Sequence, residues 1–551
     1  MNSSSTYSAS FTSPHFAATN AGTEILEQGG TAIEAMVAAA ASIAVNYPHM
    51  NGLGGDGFWL ISEPNKAPIA INAAGTAAKN ADLSLYQGLS AIPSRGPKAA
   101  LTMAGAVAGW QKALAISATW QANKPLSELL ATAINQAQWG IEVTQSLCDA
   151  SNKTYDDMSG DAAFQQFLIK GKALKKGKIL KLPLLAKTLK TLVKNGLDDF
   201  YRGEIAENLS RDLRQAGSPI QLSDFHNYHA KLEQPIAAEI SKGTLYNLPA
   251  PTQGIASLII LALYDVLRDK VTDDLSHAHL LIECTKQAFI KRNQYLTDPS
   301  RLSIELKSLL SESSIHTMAK DISMHNAAPW PHAAKQGDTV WMGACDNQGR
   351  MVSYIQSLYW EFGSGVVSPS TGIVWNNRGT SFTLADNDLQ QLAPGLQPFH
   401  TLNPAFAELN DGRRIAYGTM GGEGQPQTQA ATFSRYVYQN MPLQDAFAKG
   451  RWLLGRTWGE NSHNLKLESD IAEHIEHDLS SMGHEVVRVP AFSEMMGHAG
   501  AVVAFAGGNV EATSDPRSDG KAFIENAKNI SKSSVPLSAS DATKAFKKDS
   551  E

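Results

Sequence analysis

Thr339 is the side chain of this 551-residue chain whose type and position most clearly indicate chemistry. It begins an apolar, β-branched run, residues 339–346, and a second such run covers residues 351–359. The Asn-Gln-Gly sequence between the runs predicts a β-hairpin. A hydroxyl at the mouth of a hairpin with two apolar faces is an unusual placement unless the hydroxyl is used.

A threonine hydroxyl becomes a good nucleophile when a base takes its proton. The chain's own α-amine can be that base once the bond before the threonine is cut, because an α-amine titrates near ~8. The preceding segment, 323–338, lacks periodicity, contains two prolines and ends in Gly337-Asp338, which indicates a segment that can be cut. The alternative is that Thr339 is only a β-branched residue suited to the start of a strand. The preceding segment favours the interpretation of Thr339 as a nucleophile.

The elements around Thr339 predict a sheet covered on both faces. Thr339, Trp341, Gly343 and Cys345 point one way along the first strand, and the residues between them are also apolar. The stretch 337–377 predicts three strands in all. Residues 105–300 are mainly helical in pattern, with helices predicted at 105–117, 126–140, 184–194, 204–216, 255–268 and 276–296.

Two segments near the N-terminus predict close packing. Thr31 and Glu34 form a capping-box pattern that opens a helix apolar nearly all round, typical of a helix buried between layers. The glycine-rich loop 52–57 that follows lacks the Lys-Ser/Thr ending of a phosphate-binding loop and leads into a strand. We therefore expect a tight turn with close backbone contacts.

Composition gives no reason to expect nucleic-acid binding, a disulfide framework or a zinc site. A net charge of −6, with 43% hydrophobic and 18% charged residues, is ordinary globular composition and does not predict nucleic-acid binding. Cys148, Cys284 and Cys345 are widely spaced, so neither a disulfide framework nor a zinc site is expected. No cofactor is expected.

The histidines do not predict a metal site. His277 and His279 are two positions apart on a predicted helix and therefore point to different faces. His474 and His477 lie in a charged helical stretch and are interpreted as surface residues.

The N-terminal residues have neither a basic nor an apolar segment of the secretory type, and no run reaches the ~18 apolar residues of a membrane span. The expected location is the cytoplasm, with no membrane partner.

Several blocks of sequence agree with one known family. After Thr339 come Phe-Gly-Ser-Gly at 362–365 and Asn376-Asn377, and glycine-rich or polar blocks stand at 51–58, 418–422 and 512–517. In this order, over roughly residues 12 to 520, they resemble the γ-glutamyltransferase family of self-cleaving N-terminal-nucleophile hydrolases. The resemblance implies an αββα four-layer sandwich.

The resemblance also implies a processed precursor. Cleavage of the Asp338–Thr339 bond would leave a large subunit, 1–338, and a small subunit, 339–551, packed as one intertwined unit with a peripheral tail at 521–551. It leaves open whether these units pair into a dimer.

The site implied by the resemblance is as follows. Thr339 is nucleophile and, through its α-amine, base; the backbone amides of Gly421 and Gly422 stabilise the oxyanion; Ser357 contacts the nucleophile. The resemblance further implies that Tyr359 and Asn377 lie at the substrate.

Departures from the family pattern concern the substrate. The stretch 74–78 has no arginine to clamp a glutamyl carboxylate, Arg378 and Ser381 replace an amide and an acid, and His400-Thr401 replace a serine pair. We expect Arg378, with His400 and Thr401, to anchor the carboxylate of a small amide, because a guanidinium binds carboxylates bidentately. This pattern resembles the oxamate amidohydrolase branch and cephalosporin-acylase-like members. The alternative is a structural Arg378 paired with a buried acid.

Two other functions stay open from the sequence. An authentic γ-glutamyltransferase would release glutamate from glutathione, and the missing arginine argues against it. A non-catalytic binding protein would keep the fold but stay in one piece on a denaturing gel.

Overall fold

The computed structural model describes residues 7–330, 338–455 and 463–525. Two large β-sheets stack face to face in these ranges, and helices cover the outer face of each sheet. This is the αββα four-layer sandwich predicted from the sequence.

The first sheet has seven strands in the order β18-β1-β9-β10-β2-β3-β6, all paired antiparallel. Four of its strands precede residue 338 in the chain and three follow it, so both predicted subunits build one sheet. Its strands are β1 (Ser10–Ser13), β2 (Asp56–Ser62), β3 (Ile69–Ala73), β6 (Lys231–Glu233), β9 (Asp338–Cys345), β10 (Met351–Tyr359) and β18 (Lys521–Ile524).

The second sheet has six strands in the order β17-β16-β12-β11-β8-β7. They are β7 (Ile236–Ile240), β8 (Gly243–Asn247), β11 (Ala405–Leu409), β12 (Arg414–Thr419), β16 (Ala499–Ala504) and β17 (Val510–Ser514). Two small sheets lie outside the sandwich. They are made of β13 (Trp452–Leu454), β14 (Leu465–Glu468) and β15 (Val486–Val489), and of β4 (Ile141–Glu142) and β5 (Ile179–Leu180).

The helices segregate by position in the chain. Those before residue 228 contribute to the core on the first sheet, and those after residue 253 to the core on the second. They are α1 (Phe16–Glu27), α2 (Ala32–Asn46), α3 (Ala106–Ala118), α4 (Leu126–Leu129), α5 (Ala131–Trp139), α6 (Gln145–Met158), α7 (Pro183–Asn195), α8 (Asp199–Arg202), α9 (Glu204–Ala216), α10 (Leu222–Asn227), α11 (Gly254–Leu267), α12 (Asp274–Tyr295), α13 (Glu312–Lys320), α14 (Gln425–Val437), α15 (Leu443–Ala448) and α16 (Ser469–Ser481).

Strand β9 has two buried faces, as its sequence predicts. Val340, Met342 and Ala344 pack in the helical core, whereas Trp341 and Cys345 pack in the layer between the sheets. Because side chains alternate along a strand, Thr339 lies on the same face as Trp341.

The Trp341 indole fills a space between the sheets that three glycines leave open. A Cβ atom on Gly343, Gly418 or Gly500 would stand 2.7, 2.2 or 2.6 Å from an indole atom. The indole Nε1–H donates to Ser353 Oγ at 2.9 Å. One large side chain between glycines of β9, β12 and β16 therefore sets how the two sheets meet near Thr339.

Helix α2 is buried along its whole length and starts with the predicted capping box. Thr31 Oγ1 accepts from Glu34 N at 3.1 Å, and Glu34 Oε2 accepts from Thr31 N at 2.8 Å. An Asp346 carboxylate oxygen accepts from Ala32 N at 3.0 Å and so fastens the helix to the turn of the β9–β10 hairpin.

The glycine-rich loop 52–57 packs backbone against backbone, as predicted. A Cβ on Gly54 would lie 2.0 Å from Val374 O, and one on Gly55 would lie 2.2 Å from Ser357 O. Side chains at these positions would displace β10 and the segment that leads to Arg378.

Two sequence predictions are corrected. The third strand expected within 337–377 is a loop with an isolated bridge between Val367 and Val374, because the chain turns at residues 368–372 and pairs back on itself. Within the tail predicted to be peripheral from residue 521, Lys521–Ile524 instead forms β18 at the edge of the first sheet. Residues 526–551 of that tail lie outside the described ranges.

Candidate active site

Thr339 lies at the start of β9, fully buried, opposite a bulge in β10. Val340 pairs with Gln356 and Asp338 pairs with Tyr359, so Thr339 alone lies opposite two residues of β10, Ser357 and Leu358. Ser357 Oγ accepts from Tyr359 N at 2.7 Å, which holds the bulge. Bulges re-aim side chains beside active sites.

Tyr359 ends β10 in a left-handed backbone conformation, with φ of 84°. Such a conformation costs a non-glycine residue about 1–3 kcal/mol and is concentrated at functional sites. The Tyr359 ring packs under the guanidinium of Arg378, whose carbon lies 3.7 Å from the ring centroid. Burial raises the pKa of Tyr359, although Arg378 and a hydrogen bond with Ser381 act in the opposite direction.

Arg378 is a buried cation with one edge of its guanidinium unbonded. Its side chain is 1% exposed, and Nη1 donates to Thr401 Oγ1 at 3.2 Å. Nε and Nη2 have no hydrogen-bond partner among the described residues. Burial lowers the pKa of Arg378 to about 10, so it stays charged at neutral pH. These two nitrogens form the edge that binds carboxylates bidentately.

Asp56, at the start of β2, is the acid nearest to this edge. Its Oδ2 lies 3.9 Å from Arg378 Nε, beyond hydrogen-bond distance. Oδ1 accepts from Gly75 N at 3.0 Å. Burial raises the pKa of Asp56 to about 7, although Arg378 and the Gly75 N–H lower it.

His400 is hydrogen-bonded to Asp56. Its Nδ1 accepts from Leu402 N at 3.4 Å, which leaves the proton on Nε2, and Nε2–H donates to Asp56 Oδ2 at 3.0 Å. Burial, and then the charge of Arg378, hold the pKa of His400 far below its usual range. Both ring nitrogens are therefore hydrogen-bonded within the protein, so that any effect of His400 on a group bound to Arg378 would pass through Asp56.

The alternative role of Arg378, as a structural partner of a buried acid, has a concrete basis in Asp56. A structural pair would normally close to a direct hydrogen bond, because an unbonded buried guanidinium edge is costly. Here the acid stands off Nε at 3.9 Å. The geometry favours a guanidinium that is held in place and left able to accept a ligand.

Gly421 and Gly422 form a left-handed turn directly after β12. Their φ angles are 115° and 54°. Met420 O accepts from Thr419 Oγ1 at 2.9 Å, and Gly421 O accepts from Gly424 N at 2.8 Å. Since N–H and C=O of a trans peptide point in opposite directions, the amides of Gly421 and Gly422 are directed away from these partners. Helix α14 begins at Gln425, so its positive end adds to this amide-rich corner.

Gln253 links the turn to the loop that carries Thr401. Its Nε2 donates to Thr401 O at 2.7 Å and to Gly422 O at 2.8 Å. Arg292 Nη1 donates to Gln253 Oε1 at 3.0 Å, and Nη2 bonds Glu423 at 3.0 Å. This buried network holds the amide-bearing turn in register with the Arg378 loop.

The asparagine pair before Arg378 is used to position the loop. Asn376 Oδ1 accepts from Arg378 N at 3.0 Å, and its Nδ2 donates to Gly54 O at 2.9 Å. Asn377 donates to Ser94 O and accepts from Trp360 N. The side chain of Asn377, predicted to bind substrate, thus bonds backbone groups on either side of the loop.

The predicted site residues converge at one end of the sandwich. Asp56 pairs with Ser357 across β2 and β10, and Thr339 lies on the other side of β10, so Asp56 and Thr339 are about two strand spacings, ~10 Å, apart. The tertiary structure adds residues that the sequence analysis did not select for the site. Asp56 lies in the glycine-rich loop 52–57, which the sequence analysis interprets as a tight turn. No sequence pattern marks Gln253, Arg292 or Glu423 as site residues.

A cavity of about 240 Å³ adjoins this end of the molecule. Its lining includes Arg292, which bonds Gln253. It also includes Phe399 and Glu423, the sequence neighbours of His400 and Gly422. A volume of this size suits a small ligand.

Within the described ranges, one grouping of His279, Glu283 and His484 brings three metal-ligating side chains within 4.8 Å of one another. Their atoms already form a hydrogen-bonded cluster, since His279 bonds His484 at 2.9 Å and Ser323 O at 2.8 Å. Lys286 Nζ lies 2.7 Å from Glu283 and would repel a cation. The cluster fits an anchor for the segment around Ser323 better than a metal centre.

The sequence matches a known protein family over nearly the whole described chain. The family model for gamma-glutamyltranspeptidase matches residues 18–524.

The chain belongs to the gamma-glutamyltranspeptidase family.

Two curated relatives of this gamma-glutamyltranspeptidase family member are proenzymes. The oxamate amidohydrolase proenzyme of Klebsiella pneumoniae is 49% identical over 511 residues, which cover 92% of this chain and 97% of that protein. The glutathione hydrolase-like YwrD proenzyme of Bacillus subtilis is 35% identical, over 93% of this chain and 97% of that protein.

Among solved structures, the cephalosporin acylase from Bacillus halodurans superimposes with a TM-score of 0.85 at 29% identity, covering 94% of this chain and 96% of that one. These relatives are named as hydrolases and acylases, and the chain is a hydrolytic enzyme, an amidohydrolase of the gamma-glutamyltranspeptidase family. Across the described ranges, no helix combines the length and apolar character that a membrane crossing needs. The cytoplasmic location stays a prediction.

Proposed function

We propose that this protein is a self-processing N-terminal threonine amidohydrolase that cleaves the amide of a small carboxylate-bearing substrate such as oxamate. The observation that carries the proposal is the unbonded Nε/Nη2 edge of the buried Arg378, stacked on the ring of Tyr359. Tyr359 pairs across the strands with Asp338, the residue before Thr339. A carboxylate bound to Arg378 would therefore place a short substrate beside the nucleophile.

Processing would begin with attack of Thr339 Oγ1 on the carbonyl carbon of Asp338. The carbon–nitrogen bond breaks as the ester forms, and the nitrogen becomes the free α-amine of Thr339. Water then cleaves the ester and leaves a carboxylate on Asp338. The products are the fragments 1–338 and 339–551, which share the first sheet and so stay together.

Turnover would use the same hydroxyl with the new amine as base. The amine takes the hydroxyl proton, the oxygen attacks the substrate amide carbon, and the amide N–H groups of Gly421 and Gly422 receive the oxyanion. The protonated amine gives its proton to the leaving ammonia. Water, deprotonated by the amine, hydrolyses the acyl ester; from oxamate the products are oxalate and ammonia.

The test is ammonia release from oxamate by the processed protein, its Arg378→Ala variant and its Arg378→Lys variant. Removing one partner of a buried charge contact costs about 2–5 kcal/mol, so we expect kcat/KM of Arg378→Ala to fall at least ~30-fold. Arg378→Lys keeps the charge but loses the two-pronged geometry, so its loss should appear mainly in KM.

The matched control is Arg435→Lys, the same change at another fully buried arginine. Arg435 donates to the carbonyls of Lys449 and Gly450 at the far end of α14. This variant should lose stability and keep its KM for oxamate. Unchanged oxamate turnover in Arg378→Ala would remove the proposal.

Glutathione hydrolysis is the second candidate, favoured by the name of the Bacillus subtilis relative. It requires a clamp for the substrate's α-carboxylate, and the stretch 74–78, where the family resemblance implies an arginine, contains none. We expect little glutamate release from glutathione under conditions in which oxamate is hydrolysed. The reverse preference would favour this second candidate.

A further inference from the structure

Asp56 occupies a place where a carboxylate has no evident use in binding an anionic substrate. All three of Asp56, Arg378 and His400 are at most 1% exposed. Asp56 Oδ2 lies 3.9 Å from Arg378 Nε and accepts the Nε2–H of His400 at 3.0 Å. A negative charge is therefore held beside the guanidinium edge that the proposed substrate would occupy.

We propose that Asp56 is the internal counter-ion of Arg378 and takes up a proton when the substrate's carboxylate binds to the guanidinium. This inference rests on the proposed function and names the proton linkage of that same site. Above a pH of about 7 the free site holds Arg378 positive and Asp56 negative. The occupied site holds Arg378 positive, the substrate carboxylate negative and Asp56 neutral.

The distances support this exchange. A carboxylate oxygen bonded to Arg378 Nε at about 2.9 Å lies no farther than about 7 Å from Asp56 Oδ2. Two carboxylates that share a buried site raise the pKa of one of them strongly, since neither is screened by water. Solvent supplies the proton, and no bond of the substrate changes in this step.

Among the titratable groups around Asp56, Arg378 is the charged one, and its positive charge opposes protonation of the Asp56 carboxylate. In the described chain, the titratable groups facing Asp56 are Arg378, His400 and the hydroxyls of Tyr201, Tyr228 and Tyr354. Burial raises the pKa of each tyrosine and lowers that of His400, so these four groups are neutral at neutral pH.

A substrate carboxylate would neutralise Arg378 and remove its support for ionised Asp56. With the pKa of free Asp56 at about 7, binding above that pH requires proton uptake.

The experiment measures KM for oxamate against pH in the processed wild type and in Asp56→Asn. A carboxyl group with a pKa near 3–4 stays ionised throughout, so the substrate itself contributes no pH dependence. In the wild type, KM should be flat below pH ~7 and rise about tenfold per pH unit above it, about 30-fold between pH ~6 and ~8.5. In Asp56→Asn, KM should change less than about twofold. Titration of the α-amine should appear in kcat of both proteins.

A second readout is calorimetric titration with oxalate in two buffers of different ionisation enthalpy. At pH ~8 the wild type should take up about one proton more than Asp56→Asn. If Asp56→Asn does not fold, His400→Leu removes a hydrogen bond that stabilises the ionised carboxylate. The inflection in KM should then move to higher pH.

The outcomes separate this inference from the proposed function. Oxamate turnover that depends on Arg378, with a KM constant between pH ~6 and ~8.5, would overturn the role of Asp56 and leave the function standing. The same pH profile in wild type and Asp56→Asn would also overturn it. Absence of oxamate turnover, or turnover insensitive to Arg378, would overturn both.

Discussion

Single side chains decide the chemistry of this site because each occupies a fully buried position. Thr339 is a hydroxyl at a strand start between two sheets, and Arg378 is a guanidinium out of contact with bulk water. Charge–charge interactions are strong at such positions, since little solvent screens them. We therefore expect the substitution of a single buried residue of the candidate site to change activity or affinity strongly.

Thr339→Ala should leave the chain in one piece, because alanine has no hydroxyl to attack Asp338. It should also release no ammonia, because the uncut chain has neither the nucleophile nor the new α-amine. Thr339→Ser should split and retain partial activity. A denaturing gel and an oxamate assay measure both effects.

The control for these changes is Thr12→Ala, which removes a buried strand threonine whose Oγ1 donates to Thr513 O at 3.0 Å. It should lose about 1 kcal/mol of stability and still process. A Thr339→Ala protein that splits at the same bond would contradict the assignment of the nucleophile.

Secondary-structure elements position the reactive groups through their ends. The β10 bulge sets Ser357 and Leu358 opposite Thr339, and β12 ends in the Gly421-Gly422 turn that leads into α14. Strand ends and turns carry the site, while strand interiors carry Trp341 and the inter-sheet core. Small backbone changes at these ends should affect kcat more than stability.

Gly422→Ala tests the proposed oxyanion turn. Alanine at φ near 54° costs about 1–2 kcal/mol and shifts the turn, so its amides should no longer point at the oxyanion. Loss of one oxyanion donor costs about 10²–10³ in kcat, and a displaced donor should cost at least ~10-fold with little change in KM.

The control is Gly88→Ala, at an exposed left-handed glycine with φ of 79° and open space around a Cβ. It should show a similar loss of thermal stability and an unchanged kcat. Equal effects of the two variants on kcat would argue against Gly422.

At the scale of the molecule, the sandwich buries titratable groups well beyond the site. Burial lowers the pKa of His15 and His498 to about 4 and of His49 and His484 to about 3. Each of these histidines binds a proton more readily in the unfolded chain. The stability that each contributes is fully present above pH ~6.5 and is lost as pH falls toward its folded pKa.

Asp56 and Glu494 act in the opposite sense, because burial raises the pKa of each carboxyl to about 7. Their contribution is present at low pH and is lost as pH rises through about 7. The two groups partly offset the four histidines in the acid range.

His277 and His400 also have lowered pKa values, and Glu233 and Asp346 also have raised ones. Thermal unfolding should therefore show a melting temperature that falls from pH ~6.5 to ~4.5, since the shifted histidines outnumber the shifted carboxyls. Each unprotonated buried histidine contributes at most about 1.4 kcal/mol per pH unit. Replacing His49 by Gln should flatten the slope, whereas His474→Gln, on the exposed face of α16, should leave it unchanged. A melting temperature that rises toward acid pH would contradict this balance.

Local patterns were sufficient to predict many of the helices and strands, whereas the role of Thr339 as nucleophile stays a prediction. Hydrophobic periodicity and a capping box predicted α2, and the apolar runs around Asn347 predicted β9 and β10 to within about a residue. The third strand was wrong because its apolar residues, 366–367 and 373–375, are separated by Ser-Pro-Ser-Thr-Gly at 368–372. The chain turns there, so that Val367 and Val374 form an isolated antiparallel bridge.

The sequence by itself was enough to predict the αββα fold, through its family resemblance, and the strand start at Thr339, through residue types and near neighbours. It also has Arg378 where the resemblance implies an amide. Only the tertiary structure decided that Asp56 and His400, which are 344 positions apart in the chain, share one hydrogen bond beside Arg378. It also decided that Gln253 bridges Thr401 and Gly422. These contacts arise when two sheets stack with their strand ends together, and no local periodicity encodes that approach.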